Sequence, residues 1–175
     1  EWLAKFLRRA DGPVLVFVRT KSGAERLARR LAAGGLKAAS LHADRTQEQR
    51  MQAVEGFRSG RFRVLVATDV AARGLDIDGI THVVNFDVPY DSESYVHRIG
   101  RTGRAGRSGE ARLFISPRER NMLRIIERAT RQTIEAMSLP TLEDVNERRA
   151  TKFKQEIADS IGSKASEADG GHLQE

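Results

Sequence analysis

The chain has 175 residues, of which 39% are hydrophobic and 31% are charged, and its formal net charge is +6. This composition fits one ordinary folded domain with an added tail and excludes a disordered or collagen-like chain. The chain has no cysteine, which excludes disulfides and thiolate metal sites and fits a reducing cytoplasm. Its apolar runs are too short to cross a bilayer. The positive charge makes a polyanion such as a nucleic acid a reasonable partner.

Short apolar strands alternate with amphipathic helices along the chain. On the second helix, Met51, Val54 and Phe57 form the predicted buried side. The alternation predicts an α/β fold, a three-layer α/β/α domain with a central, mainly parallel sheet. The pattern places strands at 14–18, 39–41, 64–67, 83–86 and 111–115, and helices at 22–33, 46–57 and 118–129.

Three polar segments follow strands of the predicted sheet, at 19–21, 68–74 and 87–89. Ligands of such folds bind beyond the carboxyl ends of the strands. We therefore expect the chemistry of the chain to lie in these segments.

A stretch from Tyr95 to Arg107 combines arginines with glycines at a spacing of three. Such a period does not describe an amphipathic helix. The glycines allow tight backbone turns, so the pattern predicts guanidinium groups that converge on one phosphate. The alternative is a basic, glycine-rich surface loop. The arginines are residues 98, 101, 104 and 107, and the glycines are residues 100, 103 and 106.

Four ordered elements resemble motifs of the DEAD-box RNA helicases. His97–Arg104 resembles motif VI and Ala67–Asp76 resembles motif V, while Val14–Thr20 is similar to motif IV and Gln47–Arg50 to the QxxR element. The resemblance covers residues 1 to about 140. It implies the second, C-terminal RecA-like domain of a helicase of the bacterial cold-shock or ribosome-assembly type.

The resemblance also implies residues that contact ATP. Arg101 and Arg104 would act as catalytic residues at the γ-phosphate, with Arg104 as the arginine finger. Asp76 would accept a ribose hydroxyl, and the turn at Gly74 would bring it to the cleft together with Arg73; an ordinary turn with a local ion pair is the alternative. His97 would couple the two halves of the enzyme, although a histidine on a short helix is more often a packing residue.

For RNA, the resemblance implies contacts to phosphate and ribose instead of bases. Gln47 and Arg50 are three residues apart near a helix N-terminus, so they share a face. A solvated helix charge is the alternative for Arg50, and a helix cap is the alternative for the two threonines. The implied RNA-binding residues are Thr20, Gly23, Gln47, Arg50, Thr68 and Asp69.

The sequence has no glycine-rich phosphate loop ending in Gly-Lys-Ser/Thr, no Asp-Glu-Ala-Asp run and no Ser-Ala-Thr element. ATP with Mg²⁺ is therefore expected to be held mainly by an N-terminal RecA-like domain of the same protein, and no metal ligands are expected on this chain. The intact enzyme would be an RNA-stimulated ATPase that binds single-stranded RNA and opens RNA duplexes, whereas this part alone would be inactive.

The sequence suggests three parts: a RecA-like domain at 1–140, a helical extension at 141–162 and a disordered tail at 163–175. Sequence after 141 resembles the start of an extension that forms homodimers, and a helix packed on its own domain is the alternative. The rival functions are a stand-alone RNA-binding or scaffold module and a DNA motor of the same superfamily.

Overall fold

The computed structural model describes residues 2–74, 77–104, 106 and 108–137. The chain divides into two compact units, Glu1–Thr133 and Ile134–Glu175. All helices and strands given below belong to the first unit. The predicted extension and tail, at 141–162 and 163–175, lie outside the described residues. Within those residues, no helix combines the length and the apolar content needed to cross a membrane.

A five-stranded sheet forms the centre of the first unit. Its strands are ordered β2-β3-β1-β4-β5, and every neighbouring pair is parallel. The predicted α/β fold with a parallel sheet is confirmed, and each predicted strand is present with ends shifted by at most two residues. The strands are β1 (Val14–Phe17), β2 (Ala38–Leu41), β3 (Val64–Ala67), β4 (His82–Asn85) and β5 (Glu110–Leu113).

Helices connect successive strands, as parallel pairing requires. The predicted helices at 22–33, 46–57 and 118–129 correspond to α2, α3 and α6, the last of which follows a short 3₁₀ turn at Pro117–Glu119. The helices are α1 (Trp2–Arg9), α2 (Lys21–Ala33), α3 (Gln47–Arg58), α4 (Asp69–Ala72), α5 (Ser92–Ile99) and α6 (Arg120–Thr130).

The central strands are buried on both faces, which explains their continuous apolar runs. In β1, Val14 and Val16 pack with α1 and α2 on one side of the sheet. Leu15 and Phe17 point to the other side, where they pack with residues of α3 and α4. The sheet therefore lies between two helical layers, and each layer closes its own hydrophobic core.

The predicted buried side of α3 is wrong in one position. Phe57 is buried, but Met51 is 63% exposed, and Ala53 and Gly56 face the sheet instead. The ring of Phe62 lies so close to Gly56 that a Cβ atom there would come within 2.5 Å of it. The helix thus approaches the core through its small residues, which turns Met51 outward.

Candidate functional site

The three central strands bring their polar C-terminal residues to one edge of the sheet. Arg19 and Thr20 follow β1, Thr68 and Asp69 follow β3, and Asp87 follows β4. Because β1 lies between β3 and β4, these segments are neighbours in space. The backbone amide of Arg19, for example, donates to Asp87 Oδ2 at 2.7 Å. The three polar segments singled out in the sequence therefore meet at this carboxyl edge.

Arg98, in the last turn of α5, links the ends of all three strands. Its side chain is 1% exposed, and its Nε and Nη2 atoms donate to the two carboxylate oxygens of Asp69 at 2.6 and 2.7 Å. Its Nη1 donates to Asn85 Oδ1 at 3.1 Å and to the carbonyl of Asp87 at 2.7 Å. The guanidinium carbon lies 5.1 Å from the centroid of the Phe17 ring.

The arginine and glycine stretch therefore divides into two parts. Its first part is helix α5, which begins after the N-cap Asp91 and ends at Ile99. The expectation that Arg98 shares a phosphate with the other arginines is wrong, because its donors are directed at Asp69, Asn85 and a backbone carbonyl. The non-helical, glycine-rich backbone that the sequence predicted begins only at Gly100.

An open cavity of about 140 Å³ lies beside α4 and α5. Three of the predicted nucleotide-binding residues, Arg73, His97 and Arg101, are among the residues that line it. The His97 side chain is 64% exposed, and its Nε2 is 3.7 Å from Glu93, one turn earlier on α5. His97 is thus a surface residue of the cavity and not a packing residue of the core.

Arg101 and Arg104 lie three residues apart in the segment after α5. Burial lowers the pKa of Arg101 from its ordinary value, and the positive charge of Arg104 lowers it further. The Nε of Arg104 donates to the carbonyl of Gly100 at 2.9 Å. Two cations held in this way repel each other, so an anion at this position would be stabilised by both.

The turn after α4 has the predicted form. Gly74 has a φ of 77°, a left-handed conformation that favours glycine, and it directly follows the exposed Arg73. Asp76, the predicted ribose ligand, and Arg107 lie outside the described residues. The ribose contact and its alternative, a local ion pair with Arg73, therefore remain predictions.

Thr20 caps helix α2, as its alternative interpretation proposed. Its Oγ1 accepts a hydrogen bond from the amide of Gly23 at 3.0 Å. A Cβ atom on Gly23 would lie 2.8 Å from that oxygen, so a side chain there would displace the Thr20 hydroxyl from its present position. Both residues are accessible at the carboxyl edge, and capping leaves the hydroxyl hydrogen of Thr20 as a donor.

Thr68 and Asp69 lie between β3 and α4 at the same edge. Thr68 is 7% exposed and is the N-cap residue of α4, yet its side chain makes no capping hydrogen bond. Both carboxylate oxygens of Asp69 accept hydrogen bonds from Arg98. An RNA contact from Asp69 would therefore use its backbone more readily than its side chain.

Gln47 and Arg50 lie on the first turn of α3 and share one surface, as predicted. A capping box fixes this turn: Thr46 Oγ1 accepts from the amide of Gln49, and the side chain of Gln49 accepts from the amide of Thr46, each at 3.2 Å. Gln49 is used by the cap, so Gln47 and Arg50 are the residues of this turn left to face a ligand.

Arg19 was not identified from the sequence, although it ties two loops of the site together. Its Nη2 donates to the carbonyl of Val88 at 3.2 Å and lies 3.7 Å from Glu119. Its guanidinium carbon is 5.3 Å from the centroid of the Tyr90 ring. Arg19 thereby holds the loop that carries Thr20 against the loop that leads to α5.

Glu25 organises a second polar cluster that the sequence did not reveal. Its Oε2 accepts from Ser40 and Arg45, each at 2.7 Å, and lies 3.2 Å from Nε2 of His42. The hydrogen bond from Ser40 is the largest cause that lowers the pKa of Glu25, to about 2, with smaller contributions from His42 and Arg45. The cluster fastens the β2–α3 loop, and so the position of Gln47, to α2.

Asn85 is the feature of the sequence that could have indicated the buried position of Arg98. It is an amide within an otherwise apolar strand and is fully buried, where it needs a hydrogen-bond partner. Its Oδ1 accepts from Arg98. An amide in a buried strand beside an arginine-rich segment thus points to a buried arginine.

Comparisons with known proteins agree with this geometry. Residues 1–106 match the family model described as "Helicase conserved C-terminal domain", and residues 140–168 match "RNA helicase DeaD dimerization domain". "ATP-dependent RNA helicase DeaD" of Mycobacterium tuberculosis is 53% identical over 85% of this chain and 26% of its own length. "DEAD-box ATP-dependent RNA helicase CshA" of Bacillus subtilis is 56% identical over 76% of this chain and 27% of its own length. The chain thus spans about a quarter of these relatives.

Solved structures show the same fold. The Escherichia coli DEAD-box protein SrmB, solved with regulator of ribonuclease activity A, is 37% identical with a TM-score of 0.75, over 79% of this chain and 82% of that one. Saccharomyces cerevisiae Dbp5 bound to RNA and ADP BeF3 is 35% identical with a TM-score of 0.70, over 86% of this chain and 39% of that one. The chain therefore belongs to the helicase conserved C-terminal domain family, in the form found in DEAD-box RNA helicases.

Proposed function

We propose that this chain is the half of an RNA-stimulated ATPase that supplies arginines to ATP and backbone contacts to RNA. ATP would be bound by an N-terminal RecA-like half of the same protein, and closure of the two halves would open short RNA duplexes. The observation that carries the proposal is that Arg101 lines the same cavity as Arg73 and His97 and feels the positive charge of Arg104.

The donors around the cavity fit the phosphates of a nucleotide. Arginines offer planar, multiply donating groups that remain charged, and phosphoryl transfer is catalysed mainly by positioning and by stabilising negative charge. Arg104 would act as the arginine finger and Arg101 as its neighbour on the same phosphate. The described residues contain no group of three acidic or histidine side chains that could hold a metal ion. Mg²⁺ would be held with ATP by the other half, as the resemblance to the DEAD-box helicases implies.

The carboxyl edge fits the RNA backbone. Hydroxyls, amides and an arginine are grouped there at Thr20, Gly23, Gln47, Arg50 and Thr68. Such groups bind phosphate and ribose without reading bases. The structure of Dbp5 bound to RNA and ADP BeF3 supports the proposal that both ligands act on one fold.

Arg98 connects the two parts of the proposed site. It contacts the ring of Phe17 at the end of β1 and bonds to Asp69 after β3, and it directly precedes the segment with Arg101 and Arg104. A shift of the edge on RNA binding would therefore be transmitted to the arginines through a rigid contact. Coupling of this kind makes RNA and ATP bind more tightly together than separately.

The match of residues 140–168 to the DeaD dimerisation model supports a homodimer through this segment as part of the proposal. The cytoplasm is the proposed location.

The proposal is tested by joining the chain to an N-terminal RecA-like half of a DEAD-box helicase and measuring RNA-stimulated ATP hydrolysis. We expect no turnover from the chain alone and RNA-stimulated turnover from the joined protein. Arg104→Ala should lower kcat of the joined protein by roughly 10³- to 10⁵-fold, as removal of an arginine finger does. Arg124→Ala, at an exposed arginine on α6, is the matched control and should leave kcat unchanged.

Turnover by the chain alone would contradict the proposed division of labour. If Arg104→Ala leaves kcat of the joined protein unchanged, the result would instead favour a stand-alone RNA-binding or scaffold module.

A further inference from the structure

The outer face of α3 carries a shallow surface groove that begins at the predicted RNA contacts. We call it the α3 strip and define it by Gln47, Arg50, Met51, Val54, Arg58 and Arg61, which are among the residues that line a cavity of about 520 Å³. A helix of this length rises by about 18 Å. The strip therefore runs from the carboxyl edge toward the opposite end of the sheet.

The far end of the strip is held in place by local contacts. Arg61 Nη2 donates to the carbonyl of Gln52 at 3.1 Å, and its guanidinium carbon lies 5.0 Å from the centroid of the Phe62 ring. A guanidinium group held in this way loses less entropy when it binds a phosphate than a freely rotating one. Arg58 lies beside it in the last turn of α3.

The middle of the strip is apolar. Met51 is 63% exposed although it lies on a helix packed against the sheet, and Val54 is half-buried beside it. A polarisable thioether offers contact to the face of a base or a ribose, whereas a phosphate binds better to the arginines on either side. The strip thus has an apolar middle between cationic ends.

The charge of the strip favours an anion. Three arginines line it, and Glu55 is the acidic residue on the same cavity. Glu48, also on α3, lies near Gln52, whose Nε2 donates to it at 3.3 Å. The arginines occupy both ends of the strip, at Arg50 and at Arg58 and Arg61, which matches a chain of phosphates better than a single bound anion.

We propose that the α3 strip binds the single-stranded RNA that continues beyond the carboxyl edge, with Arg58 and Arg61 against its phosphates and Met51 against a ribose or base. The inference rests on the proposed function, because it extends the RNA contact made by Gln47 and Arg50. Continuity with those two residues favours RNA over an acidic peptide as the occupant.

The test compares two oligouridines that carry a fluorophore, one of about five nucleotides and one about twice as long, by fluorescence anisotropy over a range of salt concentrations. The full 175-residue chain is used. We expect the longer RNA to bind more tightly. Each phosphate neutralised on single-stranded RNA contributes about −0.7 to the slope of log K against log salt. The double variant Arg58→Gln/Arg61→Gln should therefore make the slope for the longer RNA less steep by roughly 1.4. The slope for the shorter RNA should not change.

The matched control is Arg124→Gln/Arg128→Gln, which removes the same charge from two exposed arginines of α6. This variant should bind both RNAs as the unchanged chain does. Circular dichroism melting of each variant verifies that it folds.

A second measurement does not depend on the arginine variants. The chain has no cysteine, so Met51→Cys gives a single thiol on the strip. A thiol-reactive photocrosslinker at that position should crosslink to the longer RNA and not to the shorter one.

Equal affinity for the two RNAs, with no crosslink from position 51, would contradict RNA binding by the α3 strip. It would leave the proposed RNA contacts at the carboxyl edge unaffected. If neither RNA binds at low salt, the proposed RNA function itself is contradicted. Binding of poly-glutamate that depends on Arg58 and Arg61, without a gain from longer RNA, would assign the strip to an acidic protein partner and overturn the proposal.

Discussion

The arginine-rich segment that begins at Tyr95 has two parts, and the arginines of the two parts lie in different environments. Arg98 ends a helix, is almost fully buried and directs its donors at Asp69, Asn85 and a backbone carbonyl. Arg101 and Arg104, three and six residues later, lie in glycine-rich backbone, where Arg101 lines an open cavity and Arg104 donates to the carbonyl of Gly100. The first arginine holds the strand ends together, and the other two are the ones for which we propose a contact with ATP.

This difference shows that spacing alone does not identify a functional arginine. The regular interval of three residues suggested one shared role, yet the partner of Arg98 lies 29 positions earlier in the chain. A carboxylate at the edge of a buried sheet requires a counter-charge, and the nearest arginine of the segment provides it. Substitutions should separate a stabilising arginine from ligand-binding ones.

The largest effect on stability is expected from Arg98→Ala. The substitution leaves Asp69 and Asn85 without their shared partner, and removal of one member of a buried ion pair costs about 3 kcal/mol when some water reaches the other member. The Asp69 side chain is 25% exposed, which allows such access. Urea unfolding followed by circular dichroism measures the change. Arg98→Lys should recover only part of the loss, because an ammonium group cannot make the bidentate contact.

Arg104→Ala is the comparison for this measurement and should change the free energy of unfolding by less than about 0.5 kcal/mol. A loss as large as that of Arg98→Ala would erase the distinction between the two parts of the segment.

A smaller effect is expected from Glu25→Gln, which tests whether exposure decides the strength of such clusters. Glu25 also gathers donors, but its side chain is 27% exposed and it lies near the surface. Loss of its charge should cost about 1.5 kcal/mol at pH 7, the low end of the range for hydrogen bonds to charged groups, because water reaches the cluster.

The contribution of Glu25 depends on pH in a defined direction. Hydrogen bonds from Ser40, His42 and Arg45 lower the pKa of Glu25 from 4.5 to about 2. A carboxyl group whose pKa is lowered by folding stabilises the protein fully above its unfolded pKa, and this stabilisation is lost as the pH falls toward the folded pKa. The difference in unfolding free energy between the unchanged chain and Glu25→Gln should therefore shrink between about pH 4.5 and pH 2. A difference that stays constant over this range would contradict the assignment.

Apart from the comparison substitution at Arg104, the smallest effect is expected at Gly106, in the glycine-rich part of the arginine segment. Gly106 has a φ of 74° and no side chain or backbone atom within 4 Å of a Cβ built on it, so only backbone strain opposes a substitution. Gly106→Ala should cost about 1 kcal/mol in urea unfolding. Gly106→Asn should cost less, because asparagine tolerates this conformation better. Equal stability of all three chains would mean that this backbone turn is not required by the fold.

Most of the fold could be predicted because its signals are local. The runs Val14–Phe17 and Val64–Ala67 are apolar over their full length, as strands buried on both faces require. The capping box at Thr46 marks the start of α3 within one residue. Met51 was placed wrongly because the position of α3 depends on Phe62 packing over Gly56, which helical periodicity does not encode.

The site was predictable in its location but not in its internal contacts. The polar segments at Thr20 and Thr68 follow apolar strands, so their convergence followed from the parallel order. The pairing of Arg98 with Asp69 depends on which strands become neighbours, and the Glu25 cluster depends on how the β2–α3 loop folds over α2. Both contacts join residues that are distant in sequence, where composition and spacing carry little information.

The strand order also sets the sequence in which the domain is completed during synthesis. The central strand β1 is made before both of its neighbours, and the last of these, β4, precedes α5. Contacts between distant residues form late in folding because the intervening chain must first be ordered. A nascent chain that has not reached α5 holds Asp69 without its arginine. The carboxyl edge is therefore finished only after α5 has been made, so the binding of RNA and nucleotide that we propose for this edge would follow folding and would not guide it.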